Sequence, residues 1–295
     1  MKQFEYINAK SIQEAAEILS VLKNEARIIA GGTDLLIELR RPNAKTPQTV
    51  VDITSVKELK GISESNGSII LKPLATHTEI HKSDLVKKFA GFLGEAASVI
   101  GAPQIRNRGT VGGNVMNAAT CADTVPALIA LGAKVTLHSV TATRTMPIVD
   151  FFIKPYKTKA NADDILTEIK IPKLPSGAKS AFIKLGRRNA LSISRLSVAA
   201  VLVQDKSGII TEARIVPGAA LPTWMRVTEA ERMLIGEKPT EKLFEAAGKK
   251  VSEVMISFTG RRWSTEYKEP VIGVLVRRAL EKCIILLNEV RKNEC

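Results

Sequence analysis

The sequence predicts an α+β fold made of two successive α/β units followed by a third unit in which strands precede helices. Short apolar runs of strand character alternate with helical segments up to about residue 58. Longer helical and loop segments then separate the strands, and three strand-like runs followed by amphipathic helices fill the C-terminal part. We therefore divide the 295 residues into units 1–58, 59–175 and 176–295.

The first unit is a small mixed α/β arrangement. Ser11 and Glu14 have the spacing of a capping box, which predicts the start of a helix at Ile12. The predicted elements are strand Phe4–Ile7, helix Ile12–Lys23, strand Arg27–Ala30, helix Leu35–Arg40 and strand Thr49–Ile53.

The second unit has fewer strands and longer helices. Pro126 suits the first turn of a short buried helix. The proline and glycine content of Pro172–Gly177 is typical of a linker, which closes the unit. The predicted elements are strand Ser68–Pro73, helices Ala90–Ile100 and Thr124–Leu131, and strands Lys134–His138 and Ile165–Ile171.

The third unit opens with strands that are separated by turn residues such as Asp205–Gly208. Helices follow beyond Met225, and the last of them has one apolar face. The predicted elements are strands Ser180–Leu185, Ser197–Val203 and Ile209–Val216 and a final helix Tyr267–Val290.

Composition excludes several classes of protein. An apolar fraction of 45% indicates a folded chain. No apolar run is long enough to cross a bilayer, and no apolar leader directs export. We therefore expect a cytoplasmic protein. Three scattered cysteines and three histidines predict neither a disulfide framework nor a metal site, and we expect His77 and His81 to flank a surface helix. The net charge of +13 favours acidic partners, but the basic residues are dispersed and aromatic residues make up only 4%, which disfavours nucleic acid.

Two glycine doublets, in Ala30–Asp34 and Thr110–Asn114, carry the functional signal. Glycine lets backbone N–H groups approach an anion, so two such segments could hold one diphosphate in a cleft between the first two units. Short polar side chains between Gln104 and Asp123 surround the second doublet and could bind a polyhydroxylated ligand. A plain strand-to-helix turn capped by Thr33 or Asp34, and a polar surface loop, are the structural alternatives.

Other nucleotide and catalytic signatures are absent from the sequence. There is no GxGxxG fingerprint, no GxxxxGK[ST] loop, and no Ser-His-Asp or Cys-His arrangement that can be argued. Segments that could bind a ligand, in a sequence without a recognisable set of acid–base catalytic residues, indicate that a bound redox cofactor performs the chemistry.

The chain resembles the FAD-binding (medium) subunit of the molybdenum hydroxylases, the family of xanthine dehydrogenase, carbon monoxide dehydrogenase and nicotinate dehydrogenase. The resemblance rests on "IIAGGTDLLIELR", "GAPQIRNRGTVGGNVMNAATCADTVPAL", "DDILTEIKIP", "FIKLGRRNALSISRLSVAAVL" and "EYKEPVIGVLVRRAL". The bacterial xanthine dehydrogenase and nicotinate dehydrogenase subunits look nearest. It implies two α/β subdomains of the FAD-binding PCMH type, like those of vanillyl-alcohol oxidase, and a C-terminal domain of antiparallel strands and helices.

The same resemblance implies cofactor-binding residues. The diphosphate would be wrapped by the first doublet and its neighbours and approached from the other side by the second. Asp123 matches an acidic residue at the adenosine end of the cofactor, and Ile100 matches an apolar position beside the cofactor. Leu166 matches a position near the isoalloxazine ring. Lys184 matches a lysine that would stabilise negative charge on that ring. Cys121 replaces a common Ser or Pro, as a packing change. The implied residues of the two doublet segments are Ile28, Ile29, Ala30, Gly31, Gly32, Thr33, Asp34 and Leu35, then Thr110, Gly112, Gly113 and Asn114.

The family implies an electron-transfer role within a heteromeric complex. Electrons would come from a molybdopterin large subunit through [2Fe-2S] clusters on a small subunit, reach FAD on this chain, and leave to NAD⁺ or another acceptor; a purine or related N-heterocycle is the expected substrate. A stand-alone FAD-dependent oxidoreductase is the alternative, and a basic nucleic-acid-binding protein is a minor one.

Overall fold

The computed structural model describes residues 3–293. The first unit is a parallel three-stranded sheet in which the last strand of the unit lies between the other two. All four residues of that central strand are buried, and Ala15, Ala16 and Leu19 of the first helix are buried as well. The elements are β1 (Glu5–Asn8), α1 (Ile12–Leu22), β2 (Ala26–Ile29), α2 (Leu35–Leu39) and β3 (Thr49–Asp52).

The predicted capping box at α1 forms only in part. The hydroxyl of Ser11 accepts a hydrogen bond from the N–H of Glu14 at 3.1 Å. The carboxylate of Glu14, however, accepts from the N–H of Lys10 at 2.6 Å rather than from Ser11. The reciprocal pair of bonds forms instead between Thr76 and Glu79, at a helix that the sequence did not predict.

The second unit is an antiparallel five-stranded sheet with helices packed against it, and across the sheet the strands lie in the order Ile62–Ser65, Ser68–Leu71, Ile165–Pro172, Lys134–His138, Thr143–Pro147. A two-stranded ribbon accompanies it. The strands are β4 (Ile62–Ser65), β5 (Ser68–Leu71), β6 (Lys134–His138), β7 (Thr143–Pro147), β8 (Phe152–Lys154), β9 (Lys157–Thr158) and β10 (Ile165–Pro172); the helices are α3 (His77–Lys82), α4 (Asp84–Ser98), α5 (Pro103–Arg108), α6 (Val111–Asn117), α7 (Thr124–Ala130) and α8 (Ile148–Phe151).

Two strands of this unit that the sequence did not predict share a physical reason. The strands β4 and β7 are the two edges of the sheet, so they are largely exposed and carry polar residues instead of an apolar run. Helix α4 kinks at Ala90, whose φ of −151° and ψ of 41° are not helical, and the predicted helix begins at this kink. The second glycine doublet, expected in a loop, lies in the first turn of α6.

The third unit is an antiparallel sheet covered by helices, as predicted. Its last two helices approach closely. A Cβ on Gly248 would lie only 2.4 Å from the carbonyl oxygen of Gly273, so only glycine fits at this contact. The elements are β11 (Lys179–Leu185), β12 (Leu196–Gln204), β13 (Ile210–Gly218), α9 (Thr228–Leu234), α10 (Glu241–Thr259) and α11 (Thr265–Asn293).

The strand β12 joins the second and third units. Its residues alternate in direction, so Ala199 and Val201 pack in the core of the second unit while Val198 and Ala200 pack under α10 and α11. In the part of the chain that the structure describes, no helix is apolar over the length that a bilayer span needs, and no cluster of His, Cys, Asp and Glu has the arrangement of a metal site.

Candidate cofactor-binding site

One cavity of about 610 Å³ lies where the three units meet. Its volume is in the range of small-molecule and cofactor pockets. The first unit contributes the segment from β2 to α2, the second the segments around α6 and β10, and the third β11 and the segment that follows it. The sixteen residues that the sequence analysis selected all lie in its wall. The structure therefore brings them together, although they span the sequence from Ile28 to Lys184.

The first glycine doublet leaves a row of unused donors. Within residues 3–293, the amide N–H groups of residues 31–35 have no hydrogen-bond partner. Gly32 has a φ of +72°, a conformation that glycine adopts without the strain that a Cβ would bring. Asp34 occupies the N-cap position of α2, but its side chain makes no capping hydrogen bond. The five amides and the start of α2 form a surface suited to an anion.

Gly31 brings the first unit against the second. A Cβ at this position would lie 2.0 Å from the carbonyl oxygen of Arg108 and 3.0 Å from the Cα atom of Gly109. Any side chain here would therefore separate the two segments.

The second doublet has a different role from the first. The N–H of Gly112 donates to the carbonyl of Pro73 at 2.9 Å, and the N–H of Gly113 donates to Thr110 Oγ1 at 3.1 Å, so neither is free. A Cβ on Gly112 would lie 2.4 Å from Pro73 Cβ, whereas a Cβ on Gly113 would meet only Thr110 Oγ1 within 4 Å. Gly112 thus lets α6 pack against the segment at Pro73, and Gly113 keeps the cavity wall open. In the described chain the free amides occur at the first doublet, and the approach of the second doublet to a diphosphate stays a prediction.

Asp123 and Lys184 form an ion pair inside the cavity wall, with 2.7 Å between Nζ and Oδ2 and side-chain exposures of 4% for Asp123 and 12% for Lys184. Lys184 also donates to the carbonyl of Val99 at 2.9 Å, and Asp123 accepts from the hydroxyl of Ser194. The resemblance implied that Asp123 lies at the adenosine end and Lys184 at the flavin end, whereas the structure places the two groups in contact, in one part of the cavity.

Burial and charge oppose each other at this pair. Burial raises the pKa of Asp123, while the ammonium of Lys184 and the hydroxyl of Ser194 act to lower it. Burial, assisted by the charge of Asp123, raises the pKa of the neighbouring Cys121 thiol. A raised pKa disfavours the reactive thiolate, in agreement with the interpretation of Cys121 as a packing residue.

The third unit supplies wall residues that the sequence analysis did not select. Residues 191–194, which follow β11, line the cavity beside Lys184. Arg188 fixes this segment by donating from Nε to the carbonyls of Ala190 and Leu191, each at 3.1 Å. The "NALSIS" run lies inside one of the quoted motifs, but its contact with Asp123 depends on packing that sequence patterns do not report.

Arg106 also has a structural role, although nothing in the sequence separates it from ordinary surface charges. Its Nη1 atom donates to the carbonyls of Ile100 and Gly101, both at 3.0 Å, and so holds the turn that presents Ile100 to the cavity. On the opposite wall, the pairing of β10 with β6 is irregular between Leu166 and Glu168, which places a bulge beside the lining residue Leu166.

His77 departs from its predicted position on a helix surface. It is the first residue of α3, but only 3% of it is exposed, and it lines the cavity. His77 stands out in the sequence because the chain has only three histidines, but no sequence pattern indicates that its side chain is buried.

Comparison with known proteins agrees with this geometry. Residues 2–174 match the family described as "FAD binding domain in molybdopterin dehydrogenase", and residues 181–283 match "CO dehydrogenase flavoprotein C-terminal domain". The chain is 36% identical to the nicotinate dehydrogenase FAD-subunit of Eubacterium barkeri, over 93% of this chain and 94% of that protein. It is 31% identical to a putative xanthine dehydrogenase FAD-binding subunit of Escherichia coli K12, over 95% of each chain.

This chain is an FAD-binding medium subunit of the molybdenum hydroxylase family. Its fold agrees with that membership, since carbon monoxide dehydrogenase from Hydrogenophaga pseudoflava superposes with a TM-score of 0.90 at 28% identity, over 96% of this chain and 98% of the other.

The residues of this FAD subunit fit the cofactor. A dinucleotide needs donors for a diphosphate, and residues 31–35 present five amides without partners in the described chain. It also needs apolar surface for its rings, which Ile28, Ile100 and Leu166 supply in the same cavity. Asn114 adds an oriented polar group, because Thr124 donates to its Oδ1 at 2.7 Å.

Proposed function

We propose that this FAD subunit holds the cofactor in the cavity between its three units and acts as the electron-transfer subunit of a heteromeric molybdenum hydroxylase. One observation carries the proposal: a row of free amides and an apolar, open-walled space lie in a single cavity of a chain that matches FAD subunits over nearly its whole length. Bound FAD would supply the redox centre for this electron transfer.

The residues have distinct proposed roles. The amides of residues 31–35 would bind the diphosphate, and Gly113 with Asn114 would face it from the other side. Leu166 and the paired Lys184 would lie beside the redox ring, where a fixed positive charge stabilises negative charge. Asp123 would hold Lys184 in place and, with Ser194, offer polar contacts to the same part of the cofactor.

The complex would contain two further subunits. We propose a small subunit with [2Fe-2S] clusters that delivers electrons, a large molybdopterin subunit that hydroxylates the substrate, and NAD⁺ or another soluble acceptor for the electrons. The excess positive charge of this chain, +13, would help an acidic partner subunit to dock. The nicotinate and xanthine dehydrogenase relatives support an N-heterocyclic substrate, including purines. The free thiols of Cys121 and Cys283 suit the cytoplasm.

The first test is reconstitution of the purified chain with FAD. We expect one FAD per chain with a flavin absorption spectrum, and loss of retention in Gly113→Leu, whose side chain would enter the cavity. Gly91→Leu is the matched control, since Gly91 is also a helical glycine, a Cβ on it meets nothing within 4 Å, and it lies outside the cavity wall. Tight FAD binding by Gly113→Leu would reject the assignment of the second doublet.

The second test is isolation of the complex from the native organism. Copurification with a four-cysteine iron–sulfur protein and a large molybdopterin protein is expected, followed by substrate-dependent reduction of NAD⁺ or an artificial acceptor. A chain that binds FAD but is isolated alone and active would favour the stand-alone oxidoreductase. Salt-sensitive nucleic-acid binding without flavin would favour the third alternative.

A further inference from the structure

The imidazole of His77 is a buried polar ring without a partner. Its Nδ1 is the one buried side-chain nitrogen or oxygen atom in the described chain that lacks a hydrogen bond. The other two histidines are paired: Nδ1 of His81 lies 3.2 Å from the carbonyl of Gly94, and Nδ1 of His138 lies 3.0 Å from Thr143 Oγ1. A buried polar group left unpaired costs about 1–3 kcal/mol, so this ring requires an explanation.

The ring is held firmly beside the first glycine doublet. The capping box of Thr76 and Glu79 fixes the start of α3, and the N–H of His77 donates to the carbonyl of Gly109 at 3.1 Å. A Cβ on Gly109 would lie 3.2 Å from Cδ2 of the ring, so the imidazole rests against this glycine. Gly31 approaches the same residue, since a Cβ there would be 3.0 Å from Gly109 Cα. One residue of main chain thus separates His77 from the free amides.

The ring is a neutral hydrogen-bonding group. Burial, helped by the charge of Arg106, lowers the pKa of His77 to about 4. A neutral imidazole has one N–H donor and one acceptor nitrogen, and neither is used by the residues that the structure describes. Such a ring can donate to an anion without placing a buried positive charge in the free protein.

We propose that His77 donates a hydrogen bond from its ring to the diphosphate of the bound FAD, as a neutral donor that extends the amide row of residues 31–35. This inference rests on the proposed placement of FAD in the cavity. The donor in this proposal is Nε2, the ring nitrogen that is not closed off from the cavity, and Nδ1 is then the unprotonated nitrogen of the neutral ring.

The first experiment uses substitutions in the full chain. In His77→Leu we expect weaker FAD binding, by roughly tenfold or more, as for loss of a hydrogen bond to a charged group. We also expect a higher unfolding temperature of the FAD-free protein, because an unpaired buried polar group is removed. His77→Gln keeps an N–H donor and should bind FAD more tightly than His77→Leu, while riboflavin, which has no phosphate, should bind wild type and both variants equally.

A residue with only a packing role would not give these opposite effects. His81→Leu is the control, since His81 is absent from the cavity wall, and its FAD affinity should match wild type. Equal FAD affinity of His77→Leu and wild type would overturn the inference, as would equal losses for FAD and riboflavin. If wild type itself bound no FAD, the proposed function would fail instead.

The second experiment observes the histidine rings of the wild-type chain directly. The chain has three histidines, so ring-nitrogen NMR resonances can be assigned from single substitutions. On saturation with FAD we expect the resonances of the His77 ring to shift and those of His138 to remain. The ³¹P resonances of bound FAD should also differ between wild type and His77→Gln. Ring resonances of His77 that do not move at saturating FAD would overturn the inference.

Discussion

The ion pair between Asp123 and Lys184 shows how strongly single residues of this site depend on one another. Both side chains are withdrawn from solvent, and each has a second partner, Ser194 for the aspartate and the carbonyl of Val99 for the lysine. Removal of one member of such a pair leaves a buried charge without compensation. A substitution of either residue should therefore change both the stability of the cavity wall and the charge that the wall presents to a ligand.

Lys184→Met should destabilise the chain by about 3 kcal/mol at neutral pH, because Asp123 is left charged and buried. Loss of the ammonium also raises the pKa of Asp123 further. A carboxyl whose folded-state pKa is raised loses stability as pH rises, so the deficit relative to wild type should be larger at pH 8 than at pH 5. Urea unfolding at both pH values measures this, and an equal deficit would contradict it.

The double variant Asp123→Asn with Lys184→Met tests the same pair by a second route. It removes both charges, so it should be more stable than Lys184→Met alone at pH 8. Additive losses would mean that the pair does not couple.

The two described thiols should react slowly for the same physical reason. Burial raises the pKa of Cys283 to about 12 and also raises that of Cys121. At pH 8 we therefore expect slow alkylation by iodoacetamide in the folded chain and fast alkylation in urea. Bound FAD should slow Cys121 further but not Cys283, because only Cys121 lines the cavity. Mass spectrometry of Cys295→Ser, which removes the third thiol, measures both rates.

At the scale of elements, the turn between β2 and α2 has the most specific geometry. Its amides are free because Gly32 turns the chain at positive φ and Gly31 allows the next segment to approach. The helix α6 also contains a glycine doublet, but the amides of this doublet donate to Pro73 and Thr110. Two similar glycine doublets therefore have different roles: one leaves its amides free, and the other uses them within the fold.

Gly32→Ala should lower both stability and FAD affinity. Its φ of +72° costs an L-residue about 1–2 kcal/mol, and the turn must distort to relieve this. Gly67→Ala is the matched control, with a φ of +69° in the β4–β5 turn and no atom within 4 Å of its Cβ. It should lose similar stability and keep full FAD affinity in a fluorescence titration. Loss of FAD affinity in both variants would show that general destabilisation is responsible.

At the scale of the whole molecule, the cavity depends on the contact of three units. Residues 31–35, 110–114 and 191–194 come from different units and meet only in the folded chain. A ligand bound among them should stabilise all three together.

Saturating FAD should therefore reduce amide hydrogen exchange in all three of these segments. The effect should be greatest at residues 31–35, whose amides have no partner within the described chain. The unfolding free energy should rise by about 2.7 kcal/mol at 100 times the Kd. The β4–β5 hairpin, which is absent from the cavity wall, should be unaffected. Protection confined to one unit would contradict a site shared by all three.

Much of the site could be predicted because its segments are marked locally. Glycine doublets, apolar runs and the helix start at Ile12 are properties of a few neighbouring residues, and the structure has β2, α2, β12 and α11 close to their predicted places. The exposed edge strands β4 and β7 were missed because they bury too little to need an apolar pattern.

The sequence by itself determined the order of α/β units, the glycine-rich segments and, through its motifs, the family to which the chain belongs. Only the tertiary structure decided which amides stay free, that Asp123 pairs with Lys184 across 61 positions, and that His77 is buried without a partner. The physical reason is that hydrogen-bond partners and burial are set by segments far apart in the chain, whereas sequence patterns report neighbours.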